Sequence, residues 1–175
     1  FDVDFQRFVE FHIAHSGIVT LFTHPNSHPY DSGLIIADNN CMVEKWLTKE
    51  ENHPKYYRNR VNAGLHIVNP AILDQICIES ETVGQIGEDG MTITVDLDRQ
   101  LLKPLAGTGK MFCYDSPEYV KDMGTPERYS MVCGDFTKGR ISRKNLKNKQ
   151  RAVFLDRDGT INCYKGFLRN IDEFE

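Results

Sequence analysis

Asp156 and Asp158, separated by one residue and followed by Gly159 and Thr160, are the side chains of this sequence best suited to chemistry. They follow the apolar run Ala152-Val153-Phe154-Leu155, which predicts a buried strand ending in a tight acidic loop. Loops of that kind lie at the carboxyl edge of a sheet, where open α/β folds bind ligands. A carboxylate is a competent nucleophile toward phosphorus. A second carboxylate two residues on can protonate the leaving oxygen and later activate water. Mg2+ would neutralise the facing charges of carboxylate and phosphate. Gly159 permits the sharp turn. The alternative is an acidic turn after a strand, with no chemistry.

A different set of residues lies upstream. In Val61-Asn62-Ala63-Gly64-Leu65-His66-Ile67, the Ala-Gly pair stands where a strand edge could admit a ligand to the backbone. Asn62 offers both a donor and an acceptor to sugar hydroxyls. The same string also suits a bulge in any sheet. Asp122 precedes Gly124-Thr125-Pro126, where Thr125 can cap a helix, and Arg128 at the third position rules out a capping box. Asp122 is either a ligand for a divalent metal or an ordinary loop acid. His24 and His28 each precede a proline, which removes the helical geometry of zinc-binding HxxxH motifs and leaves them as packed or solvent-facing loop residues. Trp46, Tyr56 and Tyr57 read as packing residues rather than a base-stacking platform.

The elements that must position these groups alternate between helix and strand. Phe5, Phe8, Val9, His12 and Ile13 fall on one helical face, with Asp4 as N-cap and Gly17 as the stop. Strands are predicted over 18–22 and 111–114, a hairpin over 34–37 and 42–47 around Asp38-Asn39-Asn40, and a strand over 61–68 broken at Asn62-Ala63-Gly64. The prolines and turn formers of 24–33 predict a loop. Helices are predicted from Pro70 to about 78, from Asp96 as cap over 97–105, and from Pro126 to about 139.

Composition sets outer limits. With 40% hydrophobic and 26% charged residues, the chain has enough apolar material for a core. A net charge of -4 gives no general reason to expect nucleic acid as a partner. Five cysteines without a CxxC pair argue against structural zinc and suit a reducing, cytoplasmic setting. No stretch reads as a signal peptide or a membrane span. Residues 138–151 carry Lys138, Arg140, Arg143, Lys144, Lys147, Lys149 and Arg151 with no acid, and read as a basic linker; phosphate steering or nucleic-acid contact is the alternative. The start at Phe1 and the end soon after the aspartate pair read as a segment cut from a larger protein. Such a segment is expected to expose sheet edges, to associate or dissolve poorly, and to be inactive alone.

The string Phe154-Leu155-Asp156-Arg157-Asp158-Gly159-Thr160-Ile161-Asn162, with Gly166-Phe167 and Asp172-Glu173-Phe174 after it, resembles the first motif of the haloacid dehalogenase phosphatases, in the subfamily of heptose bisphosphate and histidinol phosphate phosphatases. That resemblance implies Asp156 as nucleophile, Asp158 as acid/base, both as Mg2+ ligands, and Thr160 as a substrate contact. Upstream, Phe11-His12 before Val19-Thr20-Leu21, then Asn62-Ala63-Gly64, Asp98-Arg99 with Leu102-Lys103-Pro104-Leu105, and 122–129 together resemble the C-terminal half of a sugar-1-phosphate nucleotidyltransferase of the mannose-1-phosphate and heptose-1-phosphate guanylyltransferase group. This second resemblance implies Asp122 as a metal-binding aspartate, and Asn62 and Gly64 as sugar contacts. It also implies Lys49 near the sugar phosphate, in a register left open by Glu44-Lys45 and Lys49-Glu50.

The two resemblances imply an α/β chain in three parts: a partial Rossmann-like nucleotidyltransferase sheet with helices over 1–137, a linker over 138–151, and the first strand and loop of a haloacid dehalogenase-like domain over 152–175. The implied function is Mg2+-dependent transfer from a nucleoside triphosphate, taken as GTP, to a sugar 1-phosphate, joined to a phosphatase acting on a sugar bisphosphate. The alternatives are a phosphatase with an upstream binding module, or a scaffold.

Overall fold

A computed structural model describes residues 1–27, 29, 32–72, 96–164, 166–167 and 170–173. The described elements run in chain order as α1 (Phe5–His15), β1 (Val19–His24), β2 (Leu34–Ala37), β3 (Val43–Leu47), β4 (Val61–Val68), a π-helix (Leu97–Leu102) continued by a 3-10 turn (Lys103–Leu105), β5 (Met111–Asp115), α2 (Pro126–Thr137), α3 (Arg140–Lys144) and a 3-10 turn (Ile171–Glu173). One five-stranded sheet has the order β3-β2-β4-β1-β5. Among the described strands only β1 and β5 pair in parallel; β1 with β4, β2 with β3, and β2 with β4 are antiparallel. The expected mixture of helices and sheet is present, and the sheet is mixed rather than all parallel. The helix predicted from Pro70 begins there, and its continuation past Ile72 lies outside the described residues, as does His28.

Local chemistry explains most element ends. The Asp4 carboxylate accepts from the Arg7 amide and caps α1, and Thr125 does the same for Arg128 at the start of α2. In the β2–β3 hairpin, Asp38 Oδ1 accepts from the amides of Asn40 (2.9 Å) and Met42 (2.8 Å). Ser16, not Gly17, takes the left-handed position that ends α1. Gly17 is needed for space, because a Cβ there would meet the Phe112 ring at 2.6 Å. β4 is continuous rather than broken: residues 63–65 bulge opposite Phe22, and Gly64, at φ 72°, supplies the left-handed residue.

β1 is buried on both faces: Val19, Leu21 and Phe22 supply the apolar contacts, and Thr20 and Thr23 are buried with them. Val19 and Leu21 join Ile35, Val43, Trp46, Leu102, Met111 and Cys113 in one core cluster. Met42, just before β3, bridges Phe112 of β5, so the two edges of the sheet are drawn together around that cluster. Phe22 points the other way and packs with Val3 and Phe8. Phe8 lies edge-on to Phe22, with ring centres 5.3 Å apart.

Two apolar segments are not where periodicity put them. On α1 the covered face is Phe8, Phe11, His12 and His15, whereas Phe5, Val9 and Ile13 are exposed. The run 152–155 is not a strand: Val153 and Phe154 are 82% and 94% exposed, and no ladder bonds form there among the described residues. A strand needs a free edge in register, and the apolar pattern alone does not supply one.

The basic segment 138–151 is anchored rather than loose. It contains α3, and Asn145 Nδ2 donates to Asp2 Oδ1 at 2.5 Å. Glu118, 3% exposed, accepts from the amides of Asp4 (2.7 Å) and Leu146 (2.9 Å) and from the Ser116 hydroxyl (2.8 Å). One carboxylate therefore ties the N-terminal segment to the stretch after α3. Glu118→Ala strands two amides and is expected to cost about 2 kcal/mol. It should also speed tryptic cutting within 138–151. An unchanged denaturation midpoint and cutting rate would show that Glu118 is not the anchor.

Candidate active site

A cleft of about 250 Å3 opens between the start of β2, the end of β3, β4 and the π-helix. Its lining includes Asn62 and Lys49, two of the residues singled out from sequence, together with Asp98, Arg99 and Lys103. Trp46 and Gly33 form an apolar part of the wall. Against the cations Lys49, Arg99 and Lys103 stand the carboxylates Glu50 and Asp98. A site with this make-up suits an anion that also carries hydroxyls.

Each group is held by local structure. The turn after β3 is closed by the Glu51 amide donating to Thr48 O (3.2 Å) and the Thr48 amide donating to Glu51 Oε2 (2.6 Å). This places Lys49 at the rim. Lys103 reaches across from the 3-10 turn to Glu51 Oε2 at 2.7 Å, and that contact holds the Glu51 carboxyl down at about 2. Glu44 and Lys45 lie exposed within β3 and do not line the cleft, so of the two Glu/Lys pairs it is Lys49-Glu50 that faces it.

Deeper in, Asn62 Nδ2 donates to Asp98 Oδ2 at 2.9 Å, while Asn62 Oδ1 lies 3.2 Å from the Gly64 amide and 3.1 Å from His66 Nε2. The bulge that Gly64 permits brings residues 62, 64 and 66 into this one network. Gly64 is exposed, with open space where a side chain would be. Sequence reading gave no role to His66, Asp98, Arg99 or Lys103. Asp98, the partner of Asn62 on the π-helix, is distant in sequence, and only the fold joins the two.

Burial pushes His66 below its ordinary 6.5, partly opposed by Asp98; burial likewise lowers His24. A base whose folded value is lowered binds its proton less readily folded than unfolded, so its contribution is full above 6.5 and is lost as pH falls below it. Stability is therefore expected to drop between pH 7.5 and 5.5 in urea unfolding, and the drop should shrink in His66→Gln. An identical pH dependence in that variant would remove His66 as a cause.

The other predicted residues lie outside the cleft. Asp122 is exposed; its Oδ1 accepts from the Gly124 amide at 2.9 Å and its Oδ2 pairs with Arg128. Asp156 is exposed and accepts from the Arg157 amide at 2.9 Å. Both oxygens of Asp158 are held by the Arg157 guanidinium, at 2.7 and 2.9 Å, and this contact lowers the Asp158 carboxyl. Gly159, at φ 78°, makes the expected turn, and Thr160 is exposed beside it. Among the described residues no three His, Cys, Asp or Glu side chains gather into a metal-binding group. Of the three aromatic residues expected to pack, Trp46 is buried and Tyr57 half-buried, whereas Tyr56 is exposed and does not pack. No described helix is long and apolar enough to cross a membrane.

No protein-family model matches the chain. It is 25% identical over 127 residues to probable mannose-1-phosphate guanylyltransferase 2 of Oryza sativa subsp. japonica, covering 71% of this chain and 30% of that protein. It is 24% identical over 161 residues to the mannose-1-phosphate guanylyltransferase catalytic subunit beta of Dictyostelium discoideum, covering 91% and 38%. It is 30% identical over 118 residues to mannose-1-phosphate guanyltransferase 2 of Candida glabrata, covering 60% and 32%. The chain thus spans about a third of the length of these relatives, and the region it shares with them is similar to a sugar-1-phosphate nucleotidyltransferase.

Proposed function

We propose that the cleft is the acceptor-sugar site of a sugar-1-phosphate guanylyltransferase. The carrying observation is that Asn62, Asp98 and three cations line one cleft in a chain similar to proteins named mannose-1-phosphate guanylyltransferase. Lys49, Arg99 and Lys103 attract and orient the sugar phosphate, and Asn62 and Asp98 meet its hydroxyls. A phosphate oxygen of the sugar 1-phosphate attacks the α-phosphorus of GTP; the bond to the β-phosphate breaks and pyrophosphate leaves. No covalent enzyme intermediate is needed, so catalysis comes from positioning and charge neutralisation.

Mg2+ would be held by Asp122, and when bound it neutralises the nucleotide phosphates. A lone exposed carboxylate suits this ion, which is commonly held by one or two carboxylates and the substrate's own phosphates. Arg128 must release Asp122 Oδ2 first.

The tail extends the same reading. Asp156 would attack the phosphorus of a sugar bisphosphate while Asp158 protonates the departing sugar oxygen; water then frees the phosphate from Asp156. What supports this is the sequence of the loop and its glycine-pivoted turn. Asp158 must first exchange its grip on Arg157 for the substrate.

The test is pyrophosphate release by the purified native protein given GTP, Mg2+ and mannose 1-phosphate. Release that depends on the sugar phosphate and is lost in Asp122→Ala is expected. No release with any hexose or heptose 1-phosphate would overturn the transferase reading, and release surviving Asp122→Ala would overturn the metal assignment. Phosphate release from a sugar bisphosphate that survives Asp156→Asn would end the phosphatase reading.

A further inference from the structure

We infer that His66 is a positioning residue that leaves Asn62 able to offer the cleft a hydrogen-bond donor and no acceptor. The geometry fixes the side-chain amide without reference to any ligand. The Gly64 amide is an obligatory donor, so the Asn62 atom 3.2 Å from it must be the oxygen. The nitrogen then faces Asp98 Oδ2 at 2.9 Å, an acceptor, as it should.

His66 Nε2 lies 3.1 Å from that same Asn62 oxygen and 3.6 Å from Asp98 Oδ1. Both are acceptors, so Nε2 carries the proton in the neutral ring. The His66 side chain is 7% exposed, so its ring is held in place. An amide oxygen has two lone pairs, and here Gly64 and His66 take both. Of the two hydrogens on Nδ2, one goes to Asp98, and no partner among the described residues takes the other, which is left for a ligand.

A consequence for selectivity follows, resting on the sugar-phosphate reading of the cleft. The hydroxyl that meets Asn62 accepts its N–H and must give its own hydrogen elsewhere, with Asp98 and Glu50 as the carboxylates lining the cleft. A deoxy sugar phosphate lacking that oxygen leaves the Asn62 N–H unpaired in a half-buried site, which costs affinity. Without His66, Asn62 Oδ1 regains a free lone pair and can accept from a ligand hydroxyl, which relaxes the requirement.

The experiment has two arms on the native protein. In 15N-edited NMR without any ligand, His66 should be the neutral Nε2–H tautomer at pH 7.5, and the Asn62 amide should show two resolved, slowly exchanging protons. A dominant Nδ1–H tautomer would overturn the inference whatever the cleft binds. In the second arm, His66→Phe should raise the KM for mannose 1-phosphate roughly tenfold, as expected for one lost hydrogen bond in a polar network. Its kcat and its KM for GTP should stay within about twofold. His66→Gln, whose amide can place an N–H near the Nε2 position, should restore KM. Unchanged KM in His66→Phe, or no rescue by Gln, would overturn the inference. Failure of the unaltered protein to use any sugar 1-phosphate would instead overturn the function of the cleft, and the NMR arm would still decide the role of His66.

Discussion

On the proposed reading of the cleft, Asn62→Ala is expected to weaken mannose 1-phosphate binding by roughly a hundredfold, the largest loss of any single change in the cleft. The donor to the ligand disappears, worth about 1 kcal/mol as an ordinary hydrogen bond. The greater part comes from what is left behind. The Asp98 carboxylate loses its amide partner, and His66 Nε2 and the Gly64 amide lose their common acceptor. Leaving polar groups unsatisfied in a partly buried site costs about 1–3 kcal/mol more, and about 1.4 kcal/mol corresponds to a tenfold change. Asn62→Asp is the informative companion. It keeps the acceptor for Gly64 and His66 but sets a second carboxylate against Asp98, so binding should also fall, and fall further as pH rises through the carboxylate range. Titration calorimetry with mannose 1-phosphate measures both. A loss smaller than about threefold in Asn62→Ala would mean that the ligand does not meet this residue.

That network shows what the sequence could and could not disclose. Asp4, Asp38 and Thr125 act on backbone amides two to four residues away, so helix starts and the hairpin turn are readable from short strings. Asp98, which pairs with Asn62, and Glu51, which pairs with Lys103, lie 36 and 52 residues off, and no local pattern announces them. Periodicity failed where two answers were equally periodic. On α1 the stripe Phe5-Val9-Ile13 and the stripe Phe8-Phe11-His12-His15 both have helical spacing, and only the aromatic partners Phe22 and Tyr114 decide for the second. The run 152–155 has the composition of a buried strand, but burial depends on a neighbouring edge, which composition does not encode. The open register at Lys49 is a further case: Lys45 and Lys49 look alike as sequence, and what separates them is that β3 ends at Leu47 and the turn beyond it faces the cleft.

Asp115→Ala is expected to be the most destabilising change at the end of the sheet, costing about 3 kcal/mol. Asp115 Oδ2 accepts from Arg60 Nε at 2.6 Å, and Oδ1 accepts from the Thr23 hydroxyl at 2.5 Å. Arg60 also donates to the Ala37 carbonyl at 3.2 Å, so this pair joins the ends of β2, β1 and β5 across the start of β4. The Arg60 side chain is 5% exposed, and removing Asp115 leaves its charge in the interior with one carbonyl for company. Breaking a buried pair from one side typically costs about 3–5 kcal/mol. The 29% exposure of Asp115 places this case at the lower end, because water can reach the vacated position. Arg58, 3.8 Å from the same oxygen but 73% exposed, is the internal control: Arg58→Ala should change stability by less than about 0.5 kcal/mol. Urea midpoints of the three proteins decide the matter. A loss below about 1 kcal/mol in Asp115→Ala would mean that Arg60 finds water or another acceptor. The double variant Arg60→Met with Asp115→Leu should recover much of the loss, since it strands no charge and Thr23 still has the Tyr114 carbonyl at 3.3 Å. Such recovery would show that the single variant is weak because it leaves a lone buried charge, and that the ion pair itself adds little net stability to the sheet.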